Sequence, residues 1–123
     1  MDDLHLAIAE AIRRTRQRVA WKPNKDIVHL RKRQALGHLP AHASVADYNR
    51  TIQAILGSPG ASVYAYRAQG SIYVAVHANL DRPWLVIFSL AGVMETAFPP
   101  DDIQGYLGQP GFTALGTVEE LLR

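Results

Sequence analysis

Two short segments of this chain carry residue types that could act on a phosphodiester. Gly92-Val-Met-Glu-Thr-Ala-Phe-Pro-Pro100 places an acid, Glu95, and a hydroxyl, Thr96, near the end of an apolar strand. Asp26-Ile-Val-His-Leu-Arg-Lys-Arg33 places a titratable imidazole, His29, beside three consecutive cations. A base, a hydroxyl donor and a positive surface are the groups that phosphodiester chemistry requires.

His29 and Thr96 each allow a second interpretation. Neighbouring cations favour the neutral form of His29 at pH 7, which can accept a proton, but a histidine on a basic helix can equally be a surface residue. Strand alternation places Thr96 on one face with Met94 and Phe98, and Glu95 on the other. Glu95 is therefore excluded as a partner of Thr96 unless the strand bulges, and Thr96 could simply be a hydroxyl of the core.

Other residues are weaker candidates. Tyr64 and Tyr66 share a strand face on which bases could stack, and His77 shares a face with Tyr73. His38 and His42 have the i,i+4 spacing of a helical metal pair, but Pro40 between them disfavours a helix. The chain has no cysteine and no Gly-rich phosphate loop. We expect no metal and no cofactor.

The first half of the chain has the periodicity of helices. A first helix is predicted from Asp2 or Asp3 to about Ala20, and its narrow apolar stripe indicates a position on the outside. A second is predicted from Asp26 to Leu36, ending at Gly37, with Ile27 and Leu30 facing inward and His29, Lys32 and Arg33 opposite. The third begins with Ser44 and Asp47 at capping-box spacing, and the segment 57–60 ends it.

The second half predicts strands. Four segments alternate or are continuously apolar: 62–67, 71–77, 84–90 and 93–98. Short turns join them, so they must form an antiparallel meander. Residues 99–123 are predicted to be a helical turn capped by Asp101 or Asp102, then loop, then a short C-terminal helix that starts at Thr117 with Glu120. The expected fold class is α+β, with N-terminal helices packed on a four-stranded sheet in one domain, 1–123.

Composition excludes some classes of protein and favours a polyanionic partner. No apolar run approaches the roughly 18 residues of a membrane span, and the acidic N-terminus is unlike a signal peptide, so we expect a cytoplasmic protein without membrane contact. Residues 1–50 hold ten Lys/Arg and five Asp/Glu, giving +5, whereas residues 51–123 hold three and six, giving −3. The basic half suits an anionic partner, although a solvated helix surface has the same composition.

The order of these segments resembles the barnase–EndoU–colicin–RelE group of small ribonucleases, in its phage and polymorphic-toxin branches. Those domains have N-terminal helices, a histidine near basic residues, a four-stranded antiparallel sheet and a Thr-Ala-Phe/Tyr-Pro-like motif on its last strand. The matching residues are His29-Leu30-Arg31-Lys32-Arg33 and Thr96-Ala97-Phe98-Pro99, over roughly residues 25–100. Relatives often carry a second histidine directly after the basic residues. Here Gln34 follows Arg33, and only His38 could substitute.

The resemblance implies metal-independent cleavage of RNA through attack of the 2′-hydroxyl on phosphorus. It implies that His29 is the base or acid and that Thr96 donates to phosphate. Arg31, Lys32, Arg33 or Arg67 would stabilise the charged phosphorane, with Arg33 placed in the catalytic set. Substrate contacts are expected from the residues Arg31, Lys32, Arg67, Tyr64, Tyr66 and His77. The resemblance also implies a partner, an antitoxin or immunity protein that covers the basic cleft. The alternative is a non-catalytic α+β interaction domain that binds nucleic acid or a protein through its basic helices.

Overall fold

The computed structural model describes residues 2–123, which form five helices and six strands. In chain order these are α1 (Asp3–Gln17), β1 (Ala20–Trp21), α2 (Lys25–Ala35), α3 (Val45–Leu56), β2 (Ser62–Ala68), β3 (Ser71–Asn79), β4 (Pro83–Ser89), β5 (Val93–Phe98), α4 (Ile103–Leu107), β6 (Phe112–Thr117) and α5 (Val118–Leu121). None of the helices in this range is long and apolar enough to cross a membrane.

The strands form one sheet in the order β1-β5-β4-β3-β2-β6. The antiparallel meander β2–β5 and the α+β class are confirmed. The predicted number of strands, four, is too small: β6 pairs antiparallel with β2, and the two-residue β1 pairs parallel with β5. Phe112–Thr117 follows a Gly/Pro loop and lacks strict alternation, and β1 is too short for periodicity to detect.

Helices α1 and α3 cover one face of the sheet. Ile8 and Ile12 of α1 and Ile52 of α3 are fully buried against strand residues such as Val74 and Phe88. The prediction that the first helix reaches Ala20 is wrong, whereas its predicted outer position agrees with the exposed face that bears Glu10 and Arg13. Ala9 and Ala11 widen its apolar stripe, so that the helix packs closely against the core, and it ends at Gln17.

The predicted helix starts at Ser44 and Thr117 are both present. Ser44 and Asp47 form a reciprocal capping box at α3, and Thr117 and Glu120 form another at α5. Each box satisfies two backbone N–H groups that a helix start would otherwise leave without partners. Capping depends on contacts between residues three apart, which explains why the sequence alone located these starts.

The second face of the sheet carries a smaller cluster. Ala75, Leu85 and Ile87 are buried there, and α4 covers them through Ile103 and Tyr106. Several half-buried aromatic side chains surround this cluster: Tyr64, Tyr66, Tyr73, Phe98 and Phe112. The sheet is therefore covered on both faces, by large helices on one and by the single turn of α4 on the other.

A β-bulge in β5 decides which face Thr96 occupies. Ile87 of β4 pairs with Thr96, and the next residue, Phe88, pairs with Met94, so Glu95 is an extra residue. Met94 therefore lies in the core under the helices, whereas Thr96 lies on the second face with Phe98. The expectation that Met94 and Thr96 share a face is wrong, because it assumed a strand without a bulge.

Candidate functional site

Helix α2 contacts β5 beyond the end of β1. The short β1 pairs only with Val93 and Met94, so the rest of β5 has no strand on that side. His29 and Arg33, four residues apart on α2, reach Thr96 and Phe98, two residues apart on β5. Four residues of a helix rise roughly 6 Å and two residues of a strand rise roughly 7 Å, so the two side chains on α2 have nearly the same spacing as their two partners on β5.

The orientation of α2 differs from the prediction. Leu30 and Arg33 are buried and His29 is half-buried, whereas Ile27, Val28 and Leu36 are exposed. The amphipathic pattern favours Ile27 toward the core, but the helix lies at the sheet edge and turns its polar residues toward β5. Of the three residues predicted to face solvent, only Lys32 is exposed, and of the two predicted to face inward, only Leu30 is buried.

The central contact of the site joins His29 and Thr96. Nδ1 of His29 lies 3.3 Å from Oγ1 of Thr96. The His29 ring also packs on Trp21, with ring centroids 5.3 Å apart, and Trp21 in turn packs on Tyr48 at 5.5 Å. Trp21 is held by a hydrogen bond from its Nε1 to Oδ1 of Asn49, 2.9 Å long. The imidazole therefore has a fixed neighbour on one flat side and a hydroxyl at one nitrogen.

The pKa of His29 lies below its ordinary value of 6.5. Burial is the largest cause, because it disfavours the charged imidazolium; the positive charges of Arg33, Lys32 and Lys25 act in the same direction. The carboxylate of Glu95 opposes them and raises the pKa of His29. Glu95, which strand alternation excludes as a partner of Thr96, therefore affects the site through its charge. Its Oε1 lies 3.9 Å from Nζ of Lys22.

Arg33 is a buried cation without an acidic partner. Its exposed fraction is 4%, and its guanidinium carbon lies 5.6 Å from the centre of the Phe98 ring. Nη1 lies 3.2 Å from Nδ1 of His38, while Nε is buried without a hydrogen-bond partner among residues 2–123. No ion pair in that range includes Arg33. Burial lowers the pKa of its guanidinium from the ordinary value.

A cleft of about 350 Å³ opens beside Arg33. It is lined by Lys32, Arg33, Leu36, His38, Phe98, Pro99, Pro100 and Asp101. Three of these side chains bear or can bear positive charge, and one bears negative charge. Buried cations are normally paired with a carboxylate, so a cleft lined by a guanidinium that has no such partner is suited to an anion.

The remaining candidates lie outside this cleft. Tyr64 shares the second face with Thr96 but is separated from it by two strands, which is roughly 14 Å. Tyr66 stacks on Phe112 at 4.2 Å, so one side of its ring is covered. His77 is half-buried, and its Nδ1 donates to the Trp84 carbonyl at 3.1 Å.

Arg67 lies farthest from the contact of His29 and Thr96. It is exposed at the β2–β3 turn and points to the face opposite Tyr66. The structure therefore brings together His29, Thr96 and Arg33, with Lys32 at the rim of the cleft, and leaves Arg67 at another end of the sheet.

Sequence reasoning underestimated His38 and did not single out Trp21. The sequence indicates His38 only as a possible metal ligand or as a possible second histidine. No pattern among neighbouring residues predicts its contact with Arg33. Among residues 2–123 no group of three or more His, Asp or Glu side chains could hold a metal ion. Trp21 lies in a turn-rich segment where spacing indicates nothing about packing.

Comparison of the chain with protein-family models, with curated proteins and with solved structures found no match. The likeness to the barnase–EndoU–colicin–RelE group therefore rests on the order of the helices and strands and on the motif residues around His29 and Thr96.

Proposed function

We propose that this protein is a metal-independent endoribonuclease that cleaves RNA by transesterification at the site formed by His29, Thr96 and Arg33. The observation that carries the proposal is the 3.3 Å contact between His29 and Thr96 beside a buried, unpaired arginine. These three side chains supply a proton acceptor, a hydroxyl donor and a fixed positive charge, which are the groups the reaction requires.

The contact supports specific roles for the two partners. If Nδ1–H of His29 donates to Thr96 Oγ1, the opposite nitrogen, Nε2, carries a lone pair and can remove the proton of a 2′-hydroxyl. The Thr96 O–H is then free to donate to a phosphate oxygen. The lowered pKa of His29 supports the base role, because the neutral ring predominates at pH 7.

Arg33 then stabilises the charge of the reaction. Attack of the 2′-oxygen on phosphorus adds negative charge to the phosphoryl oxygens before the bond to the 5′-oxygen breaks. A buried guanidinium without a carboxylate partner is already desolvated and interacts strongly with that charge. RNA is the expected substrate, because DNA lacks the attacking hydroxyl, and we propose the cytoplasm as the place of action.

The test uses a short fluorescent RNA in the presence of a metal chelator. We expect cleavage with a 2′,3′-cyclic phosphate product and no cleavage of the same oligonucleotide made as DNA. His29→Ala should abolish cleavage, and His42→Ala, at an exposed histidine outside the site, should not. Intact RNA over pH 5–9 with wild-type protein would exclude the proposal.

The exposed side of α2 supports a second candidate function, protein binding without catalysis. Ile27, Val28 and Leu36 are 38%, 56% and 58% exposed, next to Arg31 and Lys32. Grouped apolar and basic side chains on one helix suit an acidic protein partner that carries apolar residues. An antitoxin or immunity protein, as the family resemblance implies, would have this character. Binding without any RNA cleavage would favour this function over the first.

A further inference from the structure

The contact between Arg33 and His38 fixes the protonation of His38. A guanidinium has only donors, so the Nδ1 that lies 3.2 Å from Arg33 Nη1 must accept the hydrogen bond. His38 is therefore neutral in this arrangement and carries its proton on Nε2. Protonation of Nδ1 would place two N–H donors against each other and break the contact.

The charges around His38 also disfavour its protonation. The pKa of His38 lies below the ordinary 6.5, chiefly through burial and then through the positive charges of Arg33 and Arg82. Asp101, which lines the same cleft, acts in the opposite direction. Lys32, on the cleft wall, adds a further positive charge. In the free protein one imidazole nitrogen thus serves as the acceptor that Arg33 otherwise lacks.

An anion in the cleft would compete for the same donors. A phosphate or sulfate oxygen carries negative charge and can accept two parallel hydrogen bonds from one guanidinium, so it is a stronger acceptor for Arg33 than a neutral imidazole nitrogen. The guanidinium would then turn from His38 to the anion and leave Nδ1 of His38 without a donor. The negative charge of the anion would at the same time favour the imidazolium.

We propose that anion binding at Arg33 and protonation of His38 are coupled, so that a phosphate entering the cleft causes His38 to take up one proton from solvent. The inference rests on the proposed function only in naming the phosphate of RNA as the natural anion. The coupling is reciprocal. If a bound anion raises the proton affinity of His38 by some factor, protonation of His38 must raise the affinity for the anion by the same factor.

The coupling supplies the acid that the proposed reaction needs. His29 Nε2 takes the proton of the 2′-hydroxyl, the 2′-oxygen bonds to phosphorus, and the bond from phosphorus to the 5′-oxygen breaks. The His38 imidazolium gives its proton to that 5′-oxygen and returns to the neutral form. One proton enters His29 and one leaves His38, so the two histidines together exchange no net proton in this step.

The experiment follows the ring protons of each histidine by NMR while pH is varied, with and without sodium sulfate. Sulfate keeps its charge across pH 5–8, and sodium chloride at equal ionic strength is the control. We expect saturating sulfate to raise the His38 midpoint by about one pH unit, which corresponds to sulfate binding about tenfold tighter at low pH. The exposed His42 should not respond.

Two variants separate coupling from general screening. In Arg33→Met, the His38 midpoint should rise without sulfate, because one of the positive charges that lower it is gone while burial and Arg82 remain, and sulfate should have no further effect. In His38→Gln, sulfate should still bind, but its affinity should lose its pH dependence below pH 7. A His38 midpoint that moves no more than that of His42, or equally in sodium chloride, would overturn the inference. No RNA is present, so the failure of cleavage and the failure of coupling are observed independently.

Discussion

Thr96 Oγ1 and His29 Nδ1 lie 3.3 Å apart although 67 positions separate them in the chain. Two features produce this contact. The bulge at Glu95 turns Thr96 onto the second face of the sheet, and the end of β1 after Trp21 leaves β5 open to helix α2. The bulge and the short strand β1 are features of the backbone, and together they determine which side chains come into contact.

Removal of the Thr96 hydroxyl should reduce RNA cleavage with little effect on folding. Thr96→Val keeps the shape of the side chain but removes the donor to phosphate, and we expect kcat to fall about a hundredfold. Thr96→Ser should retain most activity. Thr113→Val, at an exposed position of β6, is the matched control, and equal losses in both valine variants would argue against a role for Thr96.

The pH dependence of cleavage should follow the titration of His29. The base must be neutral, so the acidic limb of the kcat/KM profile should rise through a midpoint below 6.5, in the direction in which the pKa of His29 is shifted, and the profile should fall again where His38, the proposed acid, loses its proton. Glu95→Gln removes the group that raises this pKa and should move the midpoint further down. Glu119→Gln is the control. A midpoint above 6.5 in the wild-type protein would contradict the assignment of His29 as base.

The fold should lose stability as pH falls from about 6.5. The pKa values of His29 and His38 are both lower in the folded protein than their ordinary 6.5, so the unfolded chain takes up these protons first. The folded protein therefore loses stability as pH falls from 6.5 to the lower pKa values of its two histidines. Above 6.5 both rings are neutral in the folded and in the unfolded protein, so stability does not depend on them. Urea unfolding at pH 7.5 and 5.5 measures the change, which should be smaller in the double variant His29→Gln, His38→Gln.

Arg33 should contribute to function at the expense of stability. Arg33→Met keeps an apolar stem against Phe98 and removes a buried charge without an acidic partner, so the free energy of unfolding should be unchanged or rise by up to about 2 kcal/mol. RNA cleavage should fall at least about a hundredfold. The exposed Arg31→Met is the control for both measurements. A large loss of stability in Arg33→Met would indicate a structural role instead.

Gly111 should be necessary for the pairing of β6 with β2. Its φ is 107°, and a Cβ at this position would lie 2.5 Å from the Arg67 carbonyl oxygen. The Arg67 N–H also donates a 2.9 Å hydrogen bond to the Gly111 carbonyl, next to the first pair of this ladder. We expect Gly111→Ala to lower the free energy of unfolding by about 2 kcal/mol. Gly60→Ala, where nothing lies within 4 Å, should be nearly neutral in the same denaturation experiment.

Local patterns predicted most of the elements. The capping boxes at Ser44 and Thr117 involve residues three apart, and β5 has the predicted bounds, Val93–Phe98. Such features depend on neighbours in sequence, so a single chain is sufficient to locate them. The residue types of the site, a histidine among cations and a threonine at a strand end, were also visible without a structure.

Only the tertiary structure decided how these residues meet. The inward turn of His29 and Arg33, the bulge at Glu95 and the partnership of Arg33 with His38 all depend on contacts between distant segments. The orientation of a helix at a sheet edge depends on the total area that it buries there. The periodicity of its own sequence does not specify which strand residues it will contact. The sequence by itself determined the elements and the reactive groups; the packing of α2 against the open part of β5 determined the site.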